Sequence, residues 1–161
     1  MPGGRPLGRF TARQRIRKRR EYERVQESGR RATTPHFVFL QFAREEAGEA
    51  RLGVVASRKV GTAVVRNRCK RLVREAFRQT SDLWVPGIDI VVIVRRTLNR
   101  MKLDEVVEEW RSAVGALKRR ADEARSDGQR RVAAGAALQH VAPGAALQRV
   151  APGAALQKER P

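Results

Sequence analysis

The chain has 161 residues, with 35 Lys and Arg against 17 Asp and Glu, which gives a formal net charge of +18 and a pI near 11.7. This length predicts one domain with spare residues for tails. The charge exceeds what solubility requires, so we expect a polyanionic partner, either nucleic acid or an anionic membrane surface. No run of 18 apolar residues occurs, so no membrane-spanning helix is predicted.

Cysteine content and the N-terminus bear on the compartment. The single cysteine, Cys69, excludes an internal disulfide and fits a reducing environment. No apolar stretch follows the basic N-terminus, which is therefore not typical of a secretory signal. We expect a cytoplasmic protein.

The N-terminal region divides into two parts. Residues 1–12 begin with a Gly/Pro-rich stretch and are predicted to be a disordered arm. The basic segment that follows is compatible with a helix ending at Gly29. Thr11 and Gln14 have capping-box spacing, but the helix could equally begin near Lys18. Its apolar side chains are Ile16, Tyr22 and Val25.

Two strands come next. HFVFLQFA is rich in β-forming residues, and its two faces are both apolar. Phe37 and Phe39 point to one face. Val38, Leu40 and Phe42 point to the other. One of the two faces must pack on helices, and the remaining one is either covered or forms an apolar cleft. After the turn REEAGEA, RLGVVAS is predicted as a second strand, antiparallel to the first.

The segment SRKVGTAVVRNRCKRLVREAFRQ, residues 57–79, predicts a helix with a core face and a cationic face. Thr62 is the expected N-cap. The apolar stripe comprises Val65, Cys69, Leu72, Val73, Ala76 and Phe77. The cations of the segment are Arg58, Lys59, Arg66, Arg68, Lys70, Arg71, Arg74 and Arg78, with Glu75 as the only acid.

Cations in the first turn of a helix oppose its macrodipole, whose N-terminal end is already positive. The arrangement makes sense if an anion binds there, since free N–H groups and guanidinium groups together bind phosphate. The alternative is a solvated face on a very basic protein, but such faces usually interleave acids. The pattern favours a site for a nucleic-acid backbone.

The remaining ordered part is one strand and one helix. IDIVVIVRRT predicts a strand buried on both sides that ends in the basic pair Arg95 and Arg96. The helix from Lys102 has acids in its first half and cations at residues 118–120, which suits its macrodipole. The predicted fold is α+β: a single small sandwich with a central sheet, in the order α-β-β(-β)-α-β-α.

Residues 123–161 form a low-complexity tail with three near-identical copies, RVAAGAALQ, HVAPGAALQ and RVAPGAALQ. A Pro-Gly pair interrupts the later copies, and no aromatic residue is present to anchor a core. The tail is predicted to be disordered, with a short Ala/Leu helix on binding as the alternative.

The run RLGVVASRKVGTAVVRNRCKRLVREAF, residues 51–77, resembles the signature region of the bacterial ribonuclease P protein component. That family has a strand ending in Ser-Lys-Lys, then Gly, then Arg-Asn-Arg and Lys-Arg at the start of a helix. The matching elements here are Ser57-Arg58-Lys59, Gly61, Arg66-Asn67-Arg68 and Lys70-Arg71. The resemblance implies a ribonuclease P protein-like RNA-binding domain over residues 13–122.

The resemblance implies the protein subunit of a ribonucleoprotein that removes the 5′ leader from precursor tRNA. The expected partners are the catalytic RNA and precursor tRNA, with no obligatory protein partner. Magnesium would be held by the RNA subunit, and no cofactor, metal or catalytic residue is expected in this chain. The family also implies a left-handed β-α-β crossover over residues 51–96, against the general right-handed rule.

The resemblance also implies which residues form the RNA-binding sites, through the positions that match the family's motifs. Contact with the catalytic RNA is expected from Arg58, Lys59, Arg66, Asn67, Arg68, Lys70, Arg71 and Arg74. Contact with the leader is expected from Tyr22, Val38 and Leu40. Gln26 stands where many members have a second aromatic residue, and some members have tyrosine in place of Leu40. Because one aromatic–base stack is worth roughly 1–3 kcal/mol, leader stacking is expected to be weaker here.

Two other classes of function are weighed against this one. A general RNA-binding module of ribosomal type, without a processing role, explains the charge but not the ordered string of motifs. A membrane-surface protein would need a broad apolar face opposite its cations, which the basic stretches lack. The sequence has no P-loop and no metal-ligand cluster, and neither His36 nor His140 has an evident partner for acid–base work.

Overall fold

The computed structural model describes residues 8–139. Its helices and strands are α1 (Arg19–Ser28), β1 (Arg30–Thr33), β2 (Phe37–Ala43), β3 (Arg51–Val55), α2 (Ala63–Gln79), β4 (Ile88–Val94), α3 (Leu103–Ser112) and α4 (Val114–Gln139). The α+β class and the element order are confirmed, with three strands before the central helix. Of the two possible starts for the first helix, the one near Lys18 is correct.

The four strands form one sheet in the order β1-β2-β4-β3. β2 is antiparallel to β1 and β4, whereas β3 and β4 are parallel. β3 therefore runs antiparallel to β2 as predicted, but the two strands are not neighbours because β4 lies between them. The Ile/Val-rich β4 takes a central place, which buries both of its faces. α2 connects the parallel pair; the left-handed sense of this crossover stays a prediction.

Helices cover both faces of the sheet. On one face, Phe37 and Phe39 pack edge-on against Trp110 of α3, with ring centroids 5.5 Å apart in both pairs. α2 adds its buried stripe to the same cluster. On the other face, Val25 of α1 is fully buried in a smaller cluster. That smaller cluster also holds Val38, Leu40 and Phe42.

A buried charge network ties α1 to the sheet. Asp89, which is 3% exposed, accepts hydrogen bonds from Arg44 at 3.1 Å and from Arg51 at 2.7 and 2.6 Å. Arg51 also donates to Glu21 of α1 at 3.0 Å. Such a network is compensated only while all partners are present, so it fixes where α1 lies.

Two predictions of disorder are corrected. The long last helix breaks at Ala113, and its second part, α4, continues to Gln139, so residues 123–139 are helical. Phe10 of the predicted arm packs edge-on against Phe77 at 5.8 Å, so the end of the arm is docked. Residues 1–7 and 140–161, where the remaining disorder predictions fall, lie outside the described residues.

The physical reason for the longer helix is docking by small residues. Ala121 and Ala124 are buried, and a Cβ on Gly128 would lie 3.1 Å from that of Ala43. The first repeat copy, RVAAGAALQ, also lacks the proline that would end a helix in the later copies. Local composition predicted disorder, but tertiary contacts stabilise the helix as far as Arg131, and residues 132–139 extend it with exposed side chains.

Candidate nucleic-acid interface

The start of α2 is built as the sequence predicted. Gly61 has a φ of +151°, a conformation that favours glycine, and it turns the chain into the helix. The Thr62 hydroxyl then accepts a hydrogen bond from the Val65 N–H at 3.4 Å. Cys69 is 1% exposed, and burial raises the pKa of its thiol. Its role as a small core residue is confirmed.

The polar residues of α2 lie in distinct rows. Arg66, Lys70 and Arg74 are half-buried at successive helical turns, so their stems lie along the protein while their charges reach solvent. Asn67 and Arg71 are exposed on the outer side. Arg68 differs from the others, since it donates to the Asn99 carbonyl at 2.8 Å and so contributes to the fold as well.

The cations predicted to contact catalytic RNA lack carboxylate partners. Within residues 8–139, no Asp or Glu oxygen lies within 4.0 Å of the charged groups of Arg58, Lys59, Arg66, Arg68, Lys70, Arg71 or Arg74. Arg78 at the other end of α2 binds Glu75 instead. Within α2, the cations without a carboxylate partner therefore lie toward the start of the helix, where the macrodipole is also positive.

The cationic surface extends beyond α2. Arg58 and Lys59 lie in a 3-10 turn immediately before the helix. Lys59 lines a cavity of about 610 Å³ together with Arg95 and Arg96, which follow β4. Arg95 is held there by donating to the carbonyls of Thr34 and Pro35, both at 3.3 Å.

Sequence reasoning did not assign Arg95 and Arg96 to the site. The available signal was their place directly after the buried strand β4. What brings them to Lys59 is the parallel pairing of β3 with β4, because both strands end at the same edge of the sheet.

The three residues predicted to face the leader lie in one cluster with α1. Val38 and Leu40 are only 7% and 9% exposed, because α1 packs over them. The apolar cleft allowed by the sequence is thus largely filled. Tyr22 is half-buried and is the most accessible of the three.

Tyr22 extends from α1 onto strand β3. Its ring lies against Gly53, where an added Cβ would come within 2.6 Å of the ring. Burial raises the pKa of the Tyr22 phenol, while a hydrogen bond with the Val54 backbone and the charge of Arg74 act in the opposite direction. The interaction with Arg74 links the predicted leader residue to the cationic row of α2.

No group of three His, Cys, Asp or Glu side chains among residues 8–139 is placed to hold a metal ion. His36 does have a partner in this part of the chain, since its Nδ1 lies 2.6 Å from Glu109. Glu109 also accepts from the His36 backbone N–H at 3.0 Å, which fastens α3 to the turn before β2. No helix in the described range is long and apolar enough to cross a membrane.

Fold and surface define a class: a small basic α+β domain that carries a group of unpaired cations at the start of one helix. The model of the family Ribonuclease P matches residues 10–118. The chain is 40% identical over 96 residues to the ribonuclease P protein component of Syntrophus aciditrophicus. This alignment covers 60% of this chain and 80% of that protein. It is 42% identical over 98 residues to that of Oleidesulfovibrio alaskensis, covering 59% and 78%.

Solved structures agree with these matches. The RNase P protein of Staphylococcus aureus aligns with a TM-score of 0.59 at 28% identity, covering 65% of this chain and 95% of that chain. The protein from Thermotoga maritima aligns with a TM-score of 0.56 at 35% identity, covering 62% and 94%. The chain therefore belongs to the ribonuclease P protein component family. As a member it is a subunit of a ribonucleoprotein endoribonuclease of tRNA processing, and its partner is ribonuclease P RNA.

Proposed function

We propose that this protein binds the catalytic RNA of ribonuclease P through the start of α2, and the 5′ leader of precursor tRNA through the surface around Tyr22. In this proposal the RNA subunit holds the magnesium ions and cleaves the substrate, and the complex works in the cytoplasm. The observation that carries the proposal is the group of cations without carboxylate partners at the positive end of α2.

RNA phosphates suit this surface for two reasons. The first backbone N–H groups of α2 and the guanidinium groups beside them can donate to the same phosphate oxygens. Each phosphate neutralised also releases condensed counterions, so binding should weaken steeply as salt increases. A cationic domain between the leader and the catalytic RNA would also reduce the repulsion between these two polyanions.

For the leader, Tyr22 is the best-placed of the predicted contacts. It is accessible and interacts with Arg74, so a base stacked on its ring would have a cation close to its phosphate. The cavity lined by Lys59, Arg95 and Arg96 offers further cations at the same edge. Val38 and Leu40 could join only if α1 moved away from the sheet.

The function is tested by cleavage of precursor tRNA with a bacterial ribonuclease P RNA at low magnesium, with and without the protein. We expect the protein to stimulate cleavage. Tight binding to unrelated RNAs without stimulation would favour the general RNA-binding module instead.

The surface is tested with the variant Asn67→Ala/Arg71→Ala, because both side chains are exposed and support no fold contact in the described part of the chain. Affinity for the catalytic RNA should fall by roughly tenfold while the melting temperature stays unchanged. Arg111→Ala is the matched control, since it also removes one cation but lies on α3 beside Asp82. Equal losses in the two variants would count against the α2 surface.

A further inference from the structure

A second group of cations lies on the flank of α4 that faces β1. This side of the helix carries, at helical spacing, the cations Arg119 and Arg130 and, between them, the acids Glu123 and Asp127. A cavity of about 510 Å³ separates the flank from β1, and its polar lining consists of Arg31, Thr33, Arg119, Arg120 and Glu123. Arg130 lies farther along the same flank, beside Arg131, whose guanidinium stacks over Phe42 at 4.2 Å.

The acids of this flank are already paired within the protein. Glu123 binds Arg120 at 2.7 Å, and Asp127 binds Arg30 of β1 at 2.6 and 2.9 Å. Within residues 8–139, Arg31, Arg119 and Arg130 form no ion pair. The groove therefore presents a net positive charge that no carboxylate of the described chain balances.

Helix stability does not explain this placement. From the sequence, the cations at 118–120 suited the end of a helix, where the macrodipole is negative. In the structure they lie near the start of α4, which continues to Gln139. Packing does not explain Arg119 and Arg130 either, since both are exposed. Like charges on one flank repel each other, and an anionic partner would offset that repulsion.

We propose that Arg31, Arg119 and Arg130, with the ion-paired Arg120 beside them, form a second RNA site, the β1–α4 surface, which binds the phosphodiester backbone. From Arg119 to Arg130 it is about 17 Å long, enough for several phosphates. It lies along β1, at the opposite edge of the sheet from β3, which leads into α2. The protein thus holds RNA on two sides.

The proposal rests on the RNA-binding function proposed above and deepens it. α4 beyond residue 118 lies outside the part of the chain that the family model matches. Arg119, Arg120 and Arg130 therefore add to the matched domain and form a surface distinct from the α2 motif.

The experiment compares the full-length protein with Arg119→Ala/Arg130→Ala. One arm measures affinity for a bacterial ribonuclease P RNA over a range of salt concentrations. The other arm adds precursor tRNA with a long or a short leader to the assembled complex. A site for catalytic RNA shows a loss in the first arm, and a site for the leader shows a loss only with the long leader. In the affected arm we expect roughly tenfold weaker binding. Measured over salt in that arm, the slope should be smaller by about 1.4–1.8, because each lost phosphate contact removes about 0.7 for a single strand and about 0.9 for a duplex.

The control is Lys118→Ala/Arg125→Ala, which removes the same charge from other faces of α4. Melting temperatures of both variants establish that they fold. Wild-type affinity and slope in both arms would overturn the proposal, as would an equal loss in the control. Failure of the α2 variant to lose affinity would instead contradict the proposed function, so the two failures are distinguishable.

Discussion

The Tyr22 ring can lie against β3 because residue 53 is a glycine. Two ring carbons lie 2.6 and 2.8 Å from where a Cβ would stand, and the hydroxyl oxygen lies 3.0 Å from it, so a Cβ at residue 53 would clash with the side chain. A single missing methyl group therefore lets the predicted leader residue pack on β3. The glycine belongs to the strand RLGVV, and no local sequence pattern singles it out there.

The first prediction concerns this contact. Gly53→Ala should displace the Tyr22 ring and destabilise the fold by about 1–3 kcal/mol, as overpacking does. Chemical denaturation measures the change in the free energy of unfolding. In a Tyr22→Ala background most of this cost should disappear, since the clash is then absent. An equal loss in the free energy of unfolding in both backgrounds would show that the clash is with β3 itself and not with the Tyr22 ring.

Helix α1 is held to the sheet by apolar packing and by a network of charged side chains. Val25 is fully buried on the sheet, while Glu21 binds Arg51, which binds Asp89. Burial alone would raise the pKa of Glu21. Hydrogen bonds from the Lys18 backbone and from Arg51 outweigh it, so the pKa of Glu21 lies below its ordinary value.

The second prediction follows from the lowered pKa of Glu21. A carboxyl with a lowered folded pKa stabilises the fold above its unfolded pKa of about 4.5, and this contribution is lost as the pH falls through the lower folded value. Glu21→Gln should therefore make stability less dependent on pH in the acid range, as measured by urea unfolding. Glu23→Gln on the same helix is the control, because Glu23 pairs only with the exposed Arg19. If the free energy of unfolding of Glu21→Gln fell as steeply with decreasing pH as that of the wild type, this role of the network would be contradicted.

On the scale of the whole molecule, excess positive charge is the main electrostatic fact. A net charge of +18 on 161 residues makes the compact state repel itself. Two groups of these cations lie on different elements, at the start of α2 and on the β1–α4 surface. An anion that binds these groups only in the folded state should stabilise the fold.

The third prediction is that sulfate raises the melting temperature more than chloride does at equal ionic strength. Each kcal/mol of binding should add roughly 2–4 °C. Circular dichroism or differential scanning fluorimetry measures the shift. The gain should shrink in Asn67→Ala/Arg71→Ala if α2 supplies an anion site. Identical effects of the two salts would mean that screening alone is responsible.

Periodicity and one contiguous string of motifs predict the α+β class, the core and cationic faces of α2, the buried β4 and the family, because local sequence carries these features. The folded structure was needed to show that β4 lies between β2 and β3, that Arg95 and Arg96 reach Lys59, and that α1 covers Val38 and Leu40. It was also needed to show that contacts with the sheet hold α4 as far as Arg131, where the first repeat begins. Each of these depends on contacts between segments far apart in the chain, and local propensity does not contain that information.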